Sequence, residues 1–240
     1  MPGVDIRADR FLPVMWRCVE RGDVSRDHAQ FVADGLRDGF TCGIDVSRLK
    51  GQKVFKNYKS AIDARPSVTR AVMKRVQARK TLCLGEWNAA SRSELCDRFD
   101  TFSKFPMGAV PKFLDGVQLL EWRPTDDHTV TLTNDATVME FLRHVLRTYE
   151  ELAHFLESGY FLRVSDVDNA FPLLPLHPDI WPFFFFSFWA DDAHTHESLF
   201  VHLTGDFGTR GMPGTFKIFF VDVLVQMARS EGVLRLPMAV

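Results

Sequence analysis

Apolar residues recur at helical spacing in several stretches and crowd into short extended runs in the second half of the chain. Residues 25 to 38 carry Phe31, Val32 and Leu36 on one stripe, with Ser25 placed to cap the start and Gly39 to end it. Residues 40 to 65 are mixed and polar and predict irregular structure. Pro66 suits a first helical turn. Val68, Ala71, Val72 and Val76 follow at helical spacing, which leaves Arg70, Lys74, Arg75 and Lys80 largely outside. A loop-rich stretch comes next, with a short helix at 91 to 99. Two extended runs around Asp115-Gly116 read as a β-hairpin reaching from Gly108 to Trp122. Thr137-x-x-Glu140 is a capping box, and Val138, Phe141, Leu142, Val145, Tyr149, Leu152 and Leu156 then share one face up to Gly159. Beyond it the pattern turns to strands at Tyr160–Val164, Phe183–Trp189 and Ser198–Leu203. Pro213 opens a last helix with Phe216, Phe219, Phe220, Val223, Leu224 and Met227 turned inward. This order predicts an α+β fold rather than repeating βαβ units. A weak boundary near 100–106 divides the chain into a helical and basic region (1–104), a hairpin with a connecting helix (105–159) and a strand-rich region (160–240).

Composition narrows the class. With 46% hydrophobic and 25% charged residues the chain can bury a core. No apolar h-region follows Met1, and no uncharged apolar run reaches membrane-spanning length. Cys18, Cys42, Cys83 and Cys96 form no C-x-x-C pair, which speaks against a zinc ribbon or disulfide framework and for a reducing, intracellular compartment. A net charge of −2 hides an asymmetry: residues 48 to 80 hold 11 Lys or Arg against one acid, Asp63. Such a field attracts a polyanion, although a solvated basic face is the bland alternative.

Candidate chemistry centres on Phe161–Phe171, where a strand runs into Asp166 and Asp168. Carboxylates held on strands suit hard divalent cations and phosphoryl transfer; taken alone, an Asp at a strand end is more often a turn former. The surroundings add order. Asp166-Val-Asp-Asn-Ala-Phe171 precedes Pro175-Leu-His-Pro178, then an aromatic strand, then Asp206-Phe-Gly208 and Pro213-x-x-Phe216. Upstream lie Pro106-Met-Gly-Ala-Val-Pro-Lys112 and Arg123-x-x-x-Asp127. This succession resembles reverse transcriptases of retroelements. Gly39-Phe40 and Asn57-x-x-Ser60-Ala61 are similar to those of tyrosine-recombinase (DIRS-like) retrotransposons. The resemblance implies right-hand polymerase fingers plus a partial palm, binding an RNA or DNA template–primer and a dNTP, with two Mg2+ ions in the complete enzyme. Asp166 would be the catalytic metal ligand, helped by the Val167 carbonyl. Phe171 would stand as a gate beneath the sugar, Lys112 and Arg123 would meet the triphosphate, and Phe207 and Gly208 would floor the nucleotide pocket. Arg70, Lys74, Arg75, Arg79 and Lys80 would hold nucleic acid. A decayed, non-catalytic binding remnant is the alternative.

The sequence also departs from the family pattern. Asp206 replaces a Pro, Asp127 to Asn134 is longer than usual, and Asn169 stands where relatives often carry Asp. Trp189-Ala-Asp-Asp192 resembles the aromatic-x-Asp-Asp motif, but it precedes Phe207-Gly208 instead of following it. The true motif is expected past Val240, so this polypeptide alone is expected to be inactive. His194, His196 and His202 as zinc ligands, and Asp126, Asp127 and His128 as acid–base groups, both yield to readings as a polar hairpin tip and a turn.

Overall fold

The computed structural model describes residues 8–141, 167, 170–191, 193 and 195–233. In chain order it begins with helices α1 (Ala8–Glu20) and α2 (Arg26–Asp38). Strand β1 (Gln52–Val54), helices α3 (Lys59–Asp63) and α4 (Arg65–Gln77), strand β2 (Thr81–Glu86) and helix α5 (Ala89–Arg98) come next. Strands β3 (Phe102–Lys104), β4 (Met107–Leu114) and β5 (Val117–Asp126) complete the first half. The second half supplies β6 (Phe185–Trp189), β7 (Glu197–His202) and a last helix, α6, over 212–230. The fold is α+β, as expected.

Five strands form one sheet in the order β1-β3-β6-β7-β2. The β1–β3 and β3–β6 pairs are parallel; β6–β7 and β7–β2 are antiparallel. Strands from both sides of residues 100–106 therefore share a sheet, and the boundary expected there falls on β3, an interior strand. Both faces are covered. Phe185, Leu199 and Val201 pack into one core with α1, α2 and α6, while Phe186, Phe188 and Phe200 pack into a second with α3 and α4. Burial on both sides explains why β6 reads as an aromatic run broken only by Ser187 rather than an alternation. Phe186 and Phe200 stack at 5.2 Å between ring centroids, and truncating either to Ala costs about 3–5 kcal/mol.

The hairpin forms as its turn residues dictate. Asp115 and Gly116 take φ of +50° and +80°, the pair of positive values that a two-residue turn matching strand twist requires. Its strands run further than expected, to Asp126. Gly39 ends α2 at φ +98°, and a Cβ there would lie 2.5 Å from the Leu176 and His177 backbone. Only glycine allows Phe40 to bridge Leu176 at that approach. Asn57 and Ser60, in the polar stretch expected to be irregular, hold the hairpin: Asn57 joins it to the five-stranded sheet and Ser60 joins it to α3. The Asn57 amide donates to the Ser187 carbonyl and accepts from Met107 N–H, and Ser60 Oγ accepts from Ala109 N–H.

Other expectations fail locally. The loop-rich stretch before residue 91 contains β2. Ser25 precedes α2, but its side chain makes no capping bond. Thr137 and Glu140 do not form a capping box: a short 3-10 turn spans Met139–Phe141, and the Thr137 hydroxyl has no hydrogen-bond partner among the described residues. The rest of the long helix, the Tyr160–Val164 strand, Asp166, Asp168 and Asn169 lie outside the described residues. In α6, Lys217–Val225 winds as a π segment, which rotates the inward face. Phe219, Val223 and Met227 are buried as expected and Val225 joins them, while Phe216, Phe220 and Leu224 are half-buried.

Candidate functional site

Two loops and one helix meet behind the foot of the β4–β5 hairpin. Asp206, in the Pro position of the resemblance, is fully buried. Its Oδ1 accepts from Gly208 N–H, Thr209 N–H and the Thr209 hydroxyl at 2.8–2.9 Å, which shapes the loop that carries Phe207. Its Oδ2 lies 2.9 Å from His128 Nε2. His128 is buried too, its ring between Phe105 and Phe184. Asn134 bridges the same two loops, donating to the Gly208 carbonyl at 3.0 Å and accepting from Arg210 N–H at 2.8 Å. Gly208 has no room for a side chain, since a Cβ would sit 2.0 Å from the Asp126 carbonyl oxygen. The Phe207-Gly208 loop is thus docked on the last residue of the hairpin.

Arg75 corrects an expectation. It was assigned to the outer, nucleic-acid-facing side of α4, but its guanidinium points inward, 22% exposed. It donates to the Gly205 carbonyl at 3.2 Å and lies 3.9 Å from Asp126 Oδ2. His202 Nε2 is 3.5 Å from the same oxygen, too long for a good hydrogen bond, while its Nδ1 meets the Thr81 hydroxyl at 2.9 Å. Burial alone would raise the Asp206 carboxyl, yet His128, then His202 and Arg75, hold it well below the usual carboxylate range. Burial likewise works against a charged His128, but Asp206 overcomes it and raises that imidazole. His202 is lowered, by burial first and by Arg75 second. Two carboxyl groups, Asp126 and Asp206, therefore face one guanidinium, Arg75, and two imidazoles, His128 and His202, in one enclosed cluster.

That balance decides the question of a metal. Asp126, His202 and Asp206 bring ligand atoms within 4.8 Å of one another. Hard divalent cations need oxygen lone pairs that are free. Both Asp206 oxygens are engaged, and a guanidinium faces Asp126, so the cluster suits a closed ion network better than Mg2+. Asp126 Oδ1 and His202 Nε2 lack hydrogen-bond partners among the described residues. Of the two positions assigned to magnesium, Asp166 lies outside the described residues and Val167 is half-buried.

Several of the outward-facing residues lie near one another. Lys112 and Arg123 line one open concavity of about 280 Å³ on the hairpin, together with Val110, Phe113 and Leu119. Lys112 Nζ is 2.7 Å from Glu121, whose carboxyl is lowered by Lys112 and, more weakly, by Arg70 and Lys74. The exposed side chains of Arg70 and Lys74 thus stand beside the hairpin, and Ser67 Oγ reaches the Leu120 carbonyl at 3.4 Å. Arg79 and Lys80 are not on the helix. It ends at Gln77, Arg79 turns the chain at φ +57°, and the Lys80 carbonyl accepts from Leu203 N–H. Arg79 is exposed and Lys80 half-buried. Phe171 and Phe207, expected as gate and floor, touch with ring centroids 4.8 Å apart, Phe207 being 72% exposed. Asp127 is the turn former that was expected, accepting from Thr129 N–H, Val130 N–H and the Tyr58 hydroxyl.

Sequence reasoning missed the buried pair His128–Asp206 and also Lys104. Lys104 donates to the Phe55 carbonyl and to Ser187 Oγ, and burial lowers it to about 8. Its enclosure in the sheet gives it a structural role. No helix among the described residues is long and apolar enough to cross a membrane. No family model and no curated protein matches the chain.

Proposed function

We propose that the chain is the fingers and the first part of the palm of a retroelement reverse transcriptase, which grips a template–primer and an incoming dNTP. One observation carries this reading. Lys112 and Arg123 share a single open concavity on a hairpin whose foot is docked against the loop bearing Phe207. Lys and Arg supply charge-assisted hydrogen bonds to phosphate oxygens, and a triphosphate needs several from different directions. The Phe171–Phe207 ring pair offers an apolar surface suited to a sugar or base. Arg70 and Lys74 extend the basic wall along α4, where a nucleic-acid backbone would run. Charge balance at the foot matters as much: with Asp126 and Asp206 neutralised internally, the exposed cations set the field that the ligand meets.

Magnesium, when bound, would neutralise the triphosphate and polarise the α-phosphate, with Asp166 and the Val167 carbonyl in the assigned positions. The described residues contribute the binding half of the function: orientation of the triphosphate by Lys112 and Arg123, and of the backbone by α4.

Photo-cross-linking with an azido-dNTP in the presence of an RNA–DNA primer–template tests the reading. Labelling should map to the hairpin, and Lys112→Ala with Arg123→Ala should reduce it about tenfold or more without altering the thermal melt. Equal labelling of wild type and double variant contradicts the proposal.

A further inference from the structure

Buried polar atoms without partners gather in one place. Seven buried side-chain N or O atoms lack a hydrogen-bond partner among the described residues, and four of them surround the foot of the hairpin: Arg75 Nε, Asp126 Oδ1, His128 Nδ1 and His202 Nε2. An unpaired buried polar atom costs free energy, so such a cluster points to a ligand. Asp126, His202 and Asp206 each bring one ligand atom to within 4.8 Å of the other two. The His202 side chain is 1% exposed, and its Nε2 is aimed at Asp126 Oδ2 from 3.5 Å. That spacing is long for a hydrogen bond. It is close to the separation of about 3.3 Å between two ligands of one tetrahedral zinc ion, whose bonds to N and O are about 2.0–2.1 Å.

We propose that Asp126, His202 and Asp206 form a zinc site that clamps the foot of the hairpin. The features that disfavour Mg2+ do not disfavour zinc. Magnesium demands an octahedron of oxygens, whereas zinc takes four ligands and accepts imidazole nitrogen. Asp126 supplies its unpaired Oδ1. When His202 Nδ1–H donates to the Thr81 hydroxyl, 2.9 Å away, Nε2 presents its lone pair. Asp206 Oδ2 meets only His128 among the described residues, which leaves that oxygen a second lone pair. Three protein ligands and a water complete the four. The supporting shell is in place, because Thr81 orients the His202 ring while His128 and Thr209 hold the Asp206 carboxylate. Zinc takes Asp126 over from Arg75, which lies 3.9 Å away and keeps its bond to the Gly205 carbonyl. The three ligands come from β5, β7 and the loop of Phe207, so the ion fastens the hairpin both to the sheet and to that loop.

Calorimetric titration of the full chain with ZnCl2, after stripping with EDTA and dialysis, tests this. Wild type should take up one zinc ion with micromolar affinity or better and melt at a higher temperature with it, and millimolar MgCl2 should not compete. Asp126→Asn and His202→Gln should each lower zinc affinity about tenfold or more, and Thr81→Val should lower it by removing only the orienting hydroxyl. His196→Gln and Cys83→Ser, at exposed positions outside the cluster, should leave it unchanged. If His202→Gln does not fold, Asp126→Asn carries the test with Co2+ as the probe: wild type should show the visible absorption of a four-coordinate nitrogen and oxygen site, and the variant should lose it. Absence of zinc uptake at micromolar concentration, or uptake that survives Asp126→Asn, overturns the proposal.

Discussion

Arg70 and Arg75 sit on the same helix, yet they belong to opposite kinds of site. Arg70 stands exposed beside the hairpin, within electrostatic reach of Glu121, while Arg75 is folded in against Asp126 and the Gly205 carbonyl. Around Arg75 the charges are matched and enclosed; around Arg70 the cations Lys74 and Lys112 outnumber Glu121 and all are in contact with solvent. A run of basic residues therefore contains two things at once. One cation locks the Asp206 loop to the hairpin, and its neighbours stay in solvent, where the proposed nucleic acid would meet them. Charge density along a sequence gives the sum of these roles without separating them.

The contrast is sharpest where a buried partner is removed. Asp206→Ala deletes the acceptor of three loop hydrogen bonds and takes from the buried His128 ring the carboxylate that holds it, so urea denaturation should show a loss of about 3–5 kcal/mol. Arg75→Met exposes Asp126 to an uncompensated burial and should cost about 2–3 kcal/mol, whereas Arg70→Met should stay within about 0.5 kcal/mol. Equal losses for the two arginines would erase the distinction between the sites.

pH dependence probes the enclosed side alone. His128 is raised in the fold, so its contribution is complete below the unfolded value of 6.5 and is lost as pH climbs through the folded one. Asp206 is lowered, so its contribution holds above 3.8 and disappears as pH falls. His202 is lowered as well, which makes the fold less stable as pH drops below 6.5. Urea midpoints from about pH 5 to about pH 9 should therefore show opposing slopes near neutrality, and His202→Gln should flatten the acidic one. The smallest effect belongs to the open side: breaking Lys112–Glu121 with Glu121→Gln should change stability by less than about 1 kcal/mol, since both groups are solvated.

Much of the fold was legible because local rules and tertiary outcome agreed. Asp115-Gly116 demanded positive φ and received it; Pro66 and Pro213 opened helices; the phenylalanine run became a doubly covered strand. β1, β2 and β3 were not legible. They are short, and what makes them strands is a neighbour 50 or more residues away. The buried His128–Asp206 pair was hidden for the same reason, since its two members meet across 78 residues. Two local signals did point to it. Asp206 broke the expected Pro, and Arg75 lies three residues from buried Val72, on the flank of the inward stripe. Helical spacing was read as a binary division, and the long arginine at its margin reached inside. Asp166, on which the catalytic reading turns, lies outside the described residues, so the sequence motif alone carries it.

The central claim is that the outward cations of α4 and the hairpin grip nucleic acid. Fluorescence anisotropy of an RNA–DNA primer–template, titrated between about 50 and 200 mM salt, measures it directly. Arg70→Gln with Lys74→Gln should weaken binding and lower the salt slope by about two, at unchanged stability. Binding that ignores salt, or a slope unaltered by removing both charges, would contradict the account.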